Sequence, residues 1–195
     1  MSKLSVNKDS VKLVIILACI ALVSSLLLAT INIFTQVDEE AKLRETIGKE
    51  YDSPITEQVI DFSSYENIEK AEILNMFVAE DGAVIILSKS TNCYSAGTGI
   101  SLLVIIKGDD IVKVSPYSHG ETPGLGTNAL TEEYLARYEA LSVKDFVIGE
   151  VTGATPSGGY KQVEKYTGAT KSSNGVRDAV TNAVRAYVKV VRGNV

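Results

Sequence analysis

The sequence predicts an α+β domain, an antiparallel sheet with flanking helices, set behind a single N-terminal transmembrane helix. Three observations predict it. Residues 13–34, LVIILACIALVSSLLLATINIF, run for 22 positions without a charge, where about 20 are needed to cross a bilayer core. Residues 83–87 and 100–106 are short apolar runs rich in β-branched residues and bounded by Gly and polar clusters, as buried strands are. Residues 176–191 repeat apolar side chains at the three-and-four spacing of one helix face.

The first element is the span. Lys3, Lys8 and Lys12 against Asp9 precede it, and Asp38, Glu39 and Glu40 follow it. Positive-inside bias then puts residues 1–12 in the cytoplasm and the bulk of the chain on the outer side of the cell membrane. A cleaved secretory signal has a shorter apolar region and a small-residue cleavage site, so an uncleaved single-pass anchor fits better. Ile16-Leu17-Ala18-Cys19 is a loose match to a lipoprotein site, but only a handful of apolar residues precede Cys19.

Residues 35–54 read as a juxtamembrane stalk, helical from Asp38 to Tyr51 and broken by Ser53-Pro54. Residues 55–195, about 140 in number, suffice for one domain with its own core. Within it, Gly108-Asp109-Asp110 is a turn and Ile111, Val112 and Val114 continue a hairpin partner. Thr131 to Leu141 returns to helical spacing, with Thr131 the N-cap, Glu132 and Glu133 in the first turn, and Tyr134, Leu135, Tyr138 and Leu141 apolar. Phe146 to Val151 is a further strand. The terminal helix buries Val176, Ala179, Val180, Ala183, Val184, Tyr187, Val188 and Val191, takes Ser172 or Ser173 as its N-cap, and stops at Gly193-Asn194.

Composition excludes several functions. Residues 1–12 carry a net +2, the span none, and residues 35–195 therefore −7, a poor surface for nucleic acid. Cys19 in the span and Cys93 in the domain do not pair within one chain, and His119 is the only histidine, so no Cys–His zinc set exists. No triad or paired-carboxylate site stands out. Glu57, Glu66, Glu132 and Glu133 read as solvated groups in helical or loop contexts.

Two motifs remain. Thr167-Gly168-Ala169-Thr170-Lys171-Ser172 sits where a loop hands over to the terminal helix. It offers hydroxyls, a cation, close backbone approach at glycine and the unpaired N–H groups of a helix N-terminus, a combination that suits a phosphate. Glu121-Thr122-Pro123-Gly124-Leu125-Gly126 follows the hairpin. A turn accounts for its Pro-Gly pair, but not for the Glu-Thr before or the Leu-Gly after.

Together with the single span, these motifs resemble the FMN-binding subunits of ion-translocating membrane redox complexes. The likeness is to the G subunit of the Rnf electron-transport complex and, more distantly, the C subunit of the Na⁺-translocating NADH:quinone reductase. In that family the pattern Ser/Thr-Gly-Ala-Thr-x-Ser/Thr carries FMN as a phosphoester on its second hydroxyl residue, which here is Thr170, with Thr167, Gly168, Ala169, Lys171 and Ser172 around it. The resemblance implies that Glu121, Thr122, Leu125 and Gly126 lie near the flavin ring. It also implies that a flavin transferase matures the protein, and that the partners are the other subunits of an ion-translocating ferredoxin:NAD oxidoreductase; the charge bias around the span makes the domain extracytoplasmic. The family's Gly-Tyr-x-Gly region is matched only loosely, by Tyr94 to Gly99.

Thr152-Gly153-Ala154-Thr155-Pro156-Ser157 fits the same short pattern. The family carries Asp three places before its first hydroxyl residue. That place is Glu164 before Thr167, and Gly149 before Thr152. Pro156 removes a backbone N–H beside Thr155, and Gly158-Gly159 follow instead of a helix. Thr170 is thus the expected attachment residue, with Lys171 neutralising the phosphodiester and Thr122 hydrogen-bonding the ring. Since a flavin carries the redox chemistry itself, the chain needs no catalytic site of its own. Three readings follow: an electron-transfer subunit, an anchored FMN-binding regulatory or sensor module outside any redox complex, and a cofactor-free scaffold in which both motifs are turns.

Overall fold

The computed structural model describes residues 8–35, 39–139, 141–144 and 163–193. The strand expected at 146–151 and the second copy of the motif at 152–157 lie outside the described residues. The chain divides into two compact units, Met1–Leu43 and Arg44–Val195.

In the first unit, helix α1 (Lys8–Thr35) contains the stretch Val11–Ile31, long and apolar enough to cross a bilayer. Two of its side-chain hydroxyls are satisfied locally: Ser25 donates to Leu22 O at 2.9 Å and Thr30 to Leu26 O at 2.5 Å. Such back-bonding to the preceding turn supplies a partner where lipid offers none. Helix α2 (Glu39–Glu50) follows, and the chain leaves helical conformation before Pro54, as the Ser-Pro break predicts.

The second unit is built on a five-stranded antiparallel meander, β1 (Ile55–Val59), β2 (Ala71–Ala79), β3 (Val84–Ser90), β4 (Ile100–Lys107) and β5 (Asp110–His119), paired in chain order. The central strands contain apolar runs, residues 84–87 and 102–106, because both of their faces are buried there. One face presents Met76, Val84, Ile86, Leu102, Val104 and Val114 to the main core. The other carries Phe77, Ile85, Leu87, Leu103 and Ile105, and there Arg44 of α2 lies 5.1 Å from the Phe77 ring while Ile47 is fully buried. The expected turn at Gly108 is a two-residue connection between Lys107 and Asp110, with Gly108 at φ 62°.

The remaining elements sit on the main-core face. A 3-10 turn (Gly126–Leu130) leads into α3 (Glu132–Glu139), which buries Tyr134, Leu135 and Tyr138 as its spacing predicts. Thr131 caps α3 through its backbone, its carbonyl accepting from the N–H groups of Tyr134 and Leu135, both at 3.0 Å; its hydroxyl turns back to Asn128 O. Helix α4 (Thr170–Ala186) packs across β2, β3 and β4 and ends in a π-helical turn, Tyr187–Val191, ahead of Gly193 at φ 68°.

Two strands lie outside the sequence expectation, and three expectations need correction, one of them Val191, expected on the buried face but 39% exposed in the π-helical turn. Strands β1 and β2 are additions to the sequence pattern, which shows no clean alternation there, since β2 is bulged between Ile73 and Asn75 and β1 is short. Glu57 lies in β1, not in a helix or loop. The terminal helix begins at Thr170, so Ser172 and Ser173 lie within its first turn and neither is its N-cap. The N-cap position is Ala169, and no side chain caps it.

Candidate functional site

The displaced N-cap is the key to the site. Helix geometry advances about 100° per residue, so the first turn of α4 points its hydroxyls in different directions. Thr170 and Lys171 are exposed, whereas Ser172 and Ser173 are buried. Ser173 Oγ donates back to Ala169 O at 2.9 Å and accepts from Tyr166 N at 2.9 Å, tying the approaching chain to the helix. Gly168 enters the turn at φ +86°, a conformation that glycine adopts freely, and nothing lies within 4 Å of where its Cβ would stand.

Ser172 turns inward and donates to Glu121 Oε2. Glu121 is only 4% exposed, and its other oxygen accepts from Ser95 N at 2.9 Å. One carboxylate therefore joins three segments: the first turn of α4, the loop of residues 91–99 and the loop after β5. Ser95 Oγ reinforces the junction by donating to Gly120 O at 2.6 Å. Two glycines leave the space it needs. A Cβ on Gly126 would collide with the Glu121 carboxylate and stand 2.8 Å from Ser172 Oγ; one on Gly120 would stand 2.9 Å from Thr98 Oγ1.

Further along α4, Asn92 Nδ2 donates to Asp178 Oδ2 at 2.6 Å, and Gly175 lets Cys93 press against the helix. Burial, and then the neighbouring Glu121 carboxylate, push the Cys93 thiol up to about 11, which keeps it neutral and unreactive at physiological pH.

Above this junction, Thr122 O accepts from Leu125 N at 3.2 Å around Pro123 and Gly124, the latter at φ 74°, as in a type II turn. Thr127 Oγ1 accepts from Gly124 N at 2.9 Å and stiffens it. Thr122 is exposed and Leu125 is held out at 61% exposure, with Tyr94 of the neighbouring loop likewise exposed.

Of the residues singled out from sequence, the structure brings Glu121, Gly126 and Ser172 together in a buried contact, buries Ala169 at the helix start, and leaves Thr122, Leu125, Thr167, Gly168, Thr170 and Lys171 at the surface. Ser95, Cys93, Asn92, Asp178 and Gly175 were missed, although a glycine inside a helical pattern is itself a signal of close packing. A cavity of about 410 Å³ lined by Glu50, Tyr51, Asp52, Ser53 and Asp81 shares no residue with the site.

The arrangement fits a phosphate-bearing cofactor: an exposed hydroxyl and a lysine stand on the first turn of a helix whose positive end no side chain caps, beside a stiffened turn that presents apolar surface. The family model for the FMN-binding domain matches residues 96–185, which take in the end of the loop of residues 91–99, the loop after β5 and the start of α4. Over 97% of its length the chain is 31% identical to the whole of the G subunit of an ion-translocating oxidoreductase complex from Methanosarcina acetivorans. The chain belongs to this family of G subunits. Half of it is 34% identical to half of the G subunit of the proton-translocating ferredoxin:NAD(+) oxidoreductase complex of Clostridium ljungdahlii. The crystal structure of Shewanella oneidensis NqrC aligns with a TM-score of 0.43 at 19% identity, over 60% of each chain.

Proposed function

We propose that this chain is the electron-carrying flavoprotein subunit of an Rnf-type, ion-translocating ferredoxin:NAD oxidoreductase, with FMN attached to Thr170 as a phosphoester by a flavin transferase. The observation that carries the proposal is the uncapped first turn of α4, which presents Thr170 outward within a chain related along nearly its whole length to the G subunit of an oxidoreductase complex. Bound FMN supplies the redox chemistry, its isoalloxazine taking up and releasing electrons. The chain's own residues bind and orient it. The α4 N-terminus and Lys171 stabilise the phosphodiester charge, Gly168 keeps the approach open, and Thr122 and Leu125 stand ready at the surface for the ring. Helix α1 anchors the protein with its N-terminus in the cytoplasm and the domain outside, where a covalent tether prevents loss of the cofactor.

Coexpression of the full chain with a flavin transferase tests this. A fluorescent band should survive denaturing electrophoresis, with an FMN-sized adduct on the tryptic peptide of residues 166–171. The Thr170→Ala variant should lose both. An adduct on the peptide of residues 145–161, which holds Thr155, or flavin retained through denaturation by Thr170→Ala, would overturn the assignment.

A further inference from the structure

We propose that Glu121 is a positioning residue, which locks the first turn of α4, and with it Thr170, onto the two surface loops without touching the flavin ring. The inference rests on Thr170 being the attachment residue. A sequence resemblance puts the whole Glu121–Gly126 string beside the ring, but the geometry divides it. Thr122 to Leu125 are exposed, whereas Glu121 and Gly126 face inward.

The Glu121 carboxylate is held by protein groups: Oε1 accepts from Ser95 N and Oε2 from the Ser172 hydroxyl, with the Cys93 thiol a further neighbour. No cation pairs with it among the described residues. A buried carboxylate without a counter-ion is costly unless hydrogen bonds and fixed dipoles satisfy it, and the positive end of α4 supplies both through Ser172. The two hydrogen bonds, one to each segment, therefore favour one placement of the helix start relative to the loop of residues 91–99. Gly126 is the complement, since any side chain there would displace the carboxylate from Ser172. The inward hydroxyl at 172 holds the turn while the outward hydroxyl at 170 remains free for attachment.

The test compares Glu121→Ala, Glu121→Gln, Gly126→Ala, Ser172→Ala and the Glu121→Ala/Ser172→Ala double variant in the full-length chain, coexpressed with limiting flavin transferase. Gln retains an acceptor for Ser95 N and an amide that the Ser172 hydroxyl can accept from, so Glu121→Gln should load FMN within about twofold of wild type. Glu121→Ala and Gly126→Ala should slow loading about tenfold or more, the size expected for losing a hydrogen bond to a charged group. The double variant should load no more slowly than Glu121→Ala alone. In the fraction that does load, the visible spectrum and midpoint potential should match wild type, because the ring environment is untouched.

Wild-type loading in Gly126→Ala, or full loading with a shifted potential in Glu121→Gln, would overturn the proposal; the latter would make Glu121 a ring contact. If the wild-type chain takes no flavin at Thr170, the proposed function fails, and the latch is then judged on the apoprotein. There, urea unfolding of the four-member cycle should show coupling between Glu121 and Ser172 of about tenfold in the unfolding constant, and strict additivity would rule the latch out.

Discussion

Gly175 offers a test in which two well-understood effects oppose each other. A glycine inside a helix costs about 1 kcal/mol relative to alanine, so Gly175→Ala should stabilise α4 if the helix stood alone. It does not: the new Cβ would stand 2.9 Å from Cys93 Cβ, 3.1 Å from Ile100 Cδ1 and 3.4 Å from Asn92 O. Carbon pairs pack at roughly 3.5–4.0 Å, and a Cβ cannot rotate away from Cys93 Cβ. The loop of residues 91–99 must move instead, at about 1–3 kcal/mol for overpacking and with weakening of the 2.6 Å bond from Asn92 to Asp178. The net effect should be a loss of about 2 kcal/mol, or about 4–8 °C in melting temperature for a unit of this size. Gly48 in α2 is the control, because nothing lies within 4 Å of its Cβ position; Gly48→Ala should be neutral or stabilising by up to about 1 kcal/mol. Thermal melts of the detergent-solubilised chain would be paired with thiol labelling in a Cys19→Ser background, where Gly175→Ala should speed labelling of Cys93. If Gly175→Ala melts higher than wild type, as Gly48→Ala is expected to, the loop is not packed against α4 as described.

Three other outcomes are expected. Asn182 is fully buried, accepts from Tyr65 OH at 2.8 Å and Ile68 N at 3.1 Å, and donates to Asn67 Oδ1 at 3.0 Å, so Asn182→Leu should cost about 3 kcal/mol in urea unfolding; a change under about 0.5 kcal/mol would show the network to be dispensable. Cys93 is raised from 9.0 to about 11 by burial and by Glu121; its contribution to stability is present below pH 9 and is lost as pH rises towards 11, so Cys93→Ala should flatten the alkaline decline in melting temperature between those values. Asp81 is held well below the usual carboxylate range by hydrogen bonds first from Lys107 and then from Tyr51; its contribution is present above the ordinary value of 3.8 and is lost on further acidification, and Asp81→Asn should lessen that acid loss.

Sequence pattern revealed those elements whose physics is local. The two central strands carry apolar runs, residues 84–87 and 102–106, because both faces are covered, α4 has an apolar stripe, and the Gly108 and Pro123-Gly124 turns are set by glycine at positive φ. Strands β1 and β2 carry no clean pattern because their apolar residues are interrupted: a bulge shifts the alternation in β2 at Ile73/Asn75, and Asn75 falls where alternation from Ala71 and Ile73 predicts core. At the site, the string Glu121 to Gly126 stood out by resemblance, but its two ends are explained only by tertiary partners, Ser95 and Ser172, 26 and 51 residues away. No local rule relates a glutamate after a strand to a serine in the first turn of a distant helix. The same limit led to the wrong N-cap, since a serine near a helix start is ordinarily read as capping its own amides, whereas here both serines are engaged elsewhere.

If FMN is attached at Thr170 as proposed, that engagement gives a physical reason for the choice of this copy of the short pattern. Three hydroxyls fall at positions 170, 172 and 173, and α-helical geometry sends the first to solvent and the other two into the protein. An exposed hydroxyl is common and by itself marks nothing. The turn that carries Thr170 is held from behind, by Ser173 against the incoming chain and by Ser172 against a carboxylate that also grips the loop of residues 91–99. The Thr152 to Ser157 copy repeats the hydroxyl spacing at 155 and 157 but has Pro156 between them, Gly158 where Thr170's copy has Ser173, and only one Glu121 exists to be gripped. Moving the inward hydroxyls should therefore transfer little: installing serine at 158 should leave Thr155 unmodified, while deleting the grip on Ser172 should impair Thr170 although its own residue is unchanged. Mass spectrometry of the two tryptic peptides from the same coexpressed samples decides it, and flavin appearing on Thr155 in the Gly158→Ser variant would mean that the short pattern, not its anchoring, selects the site.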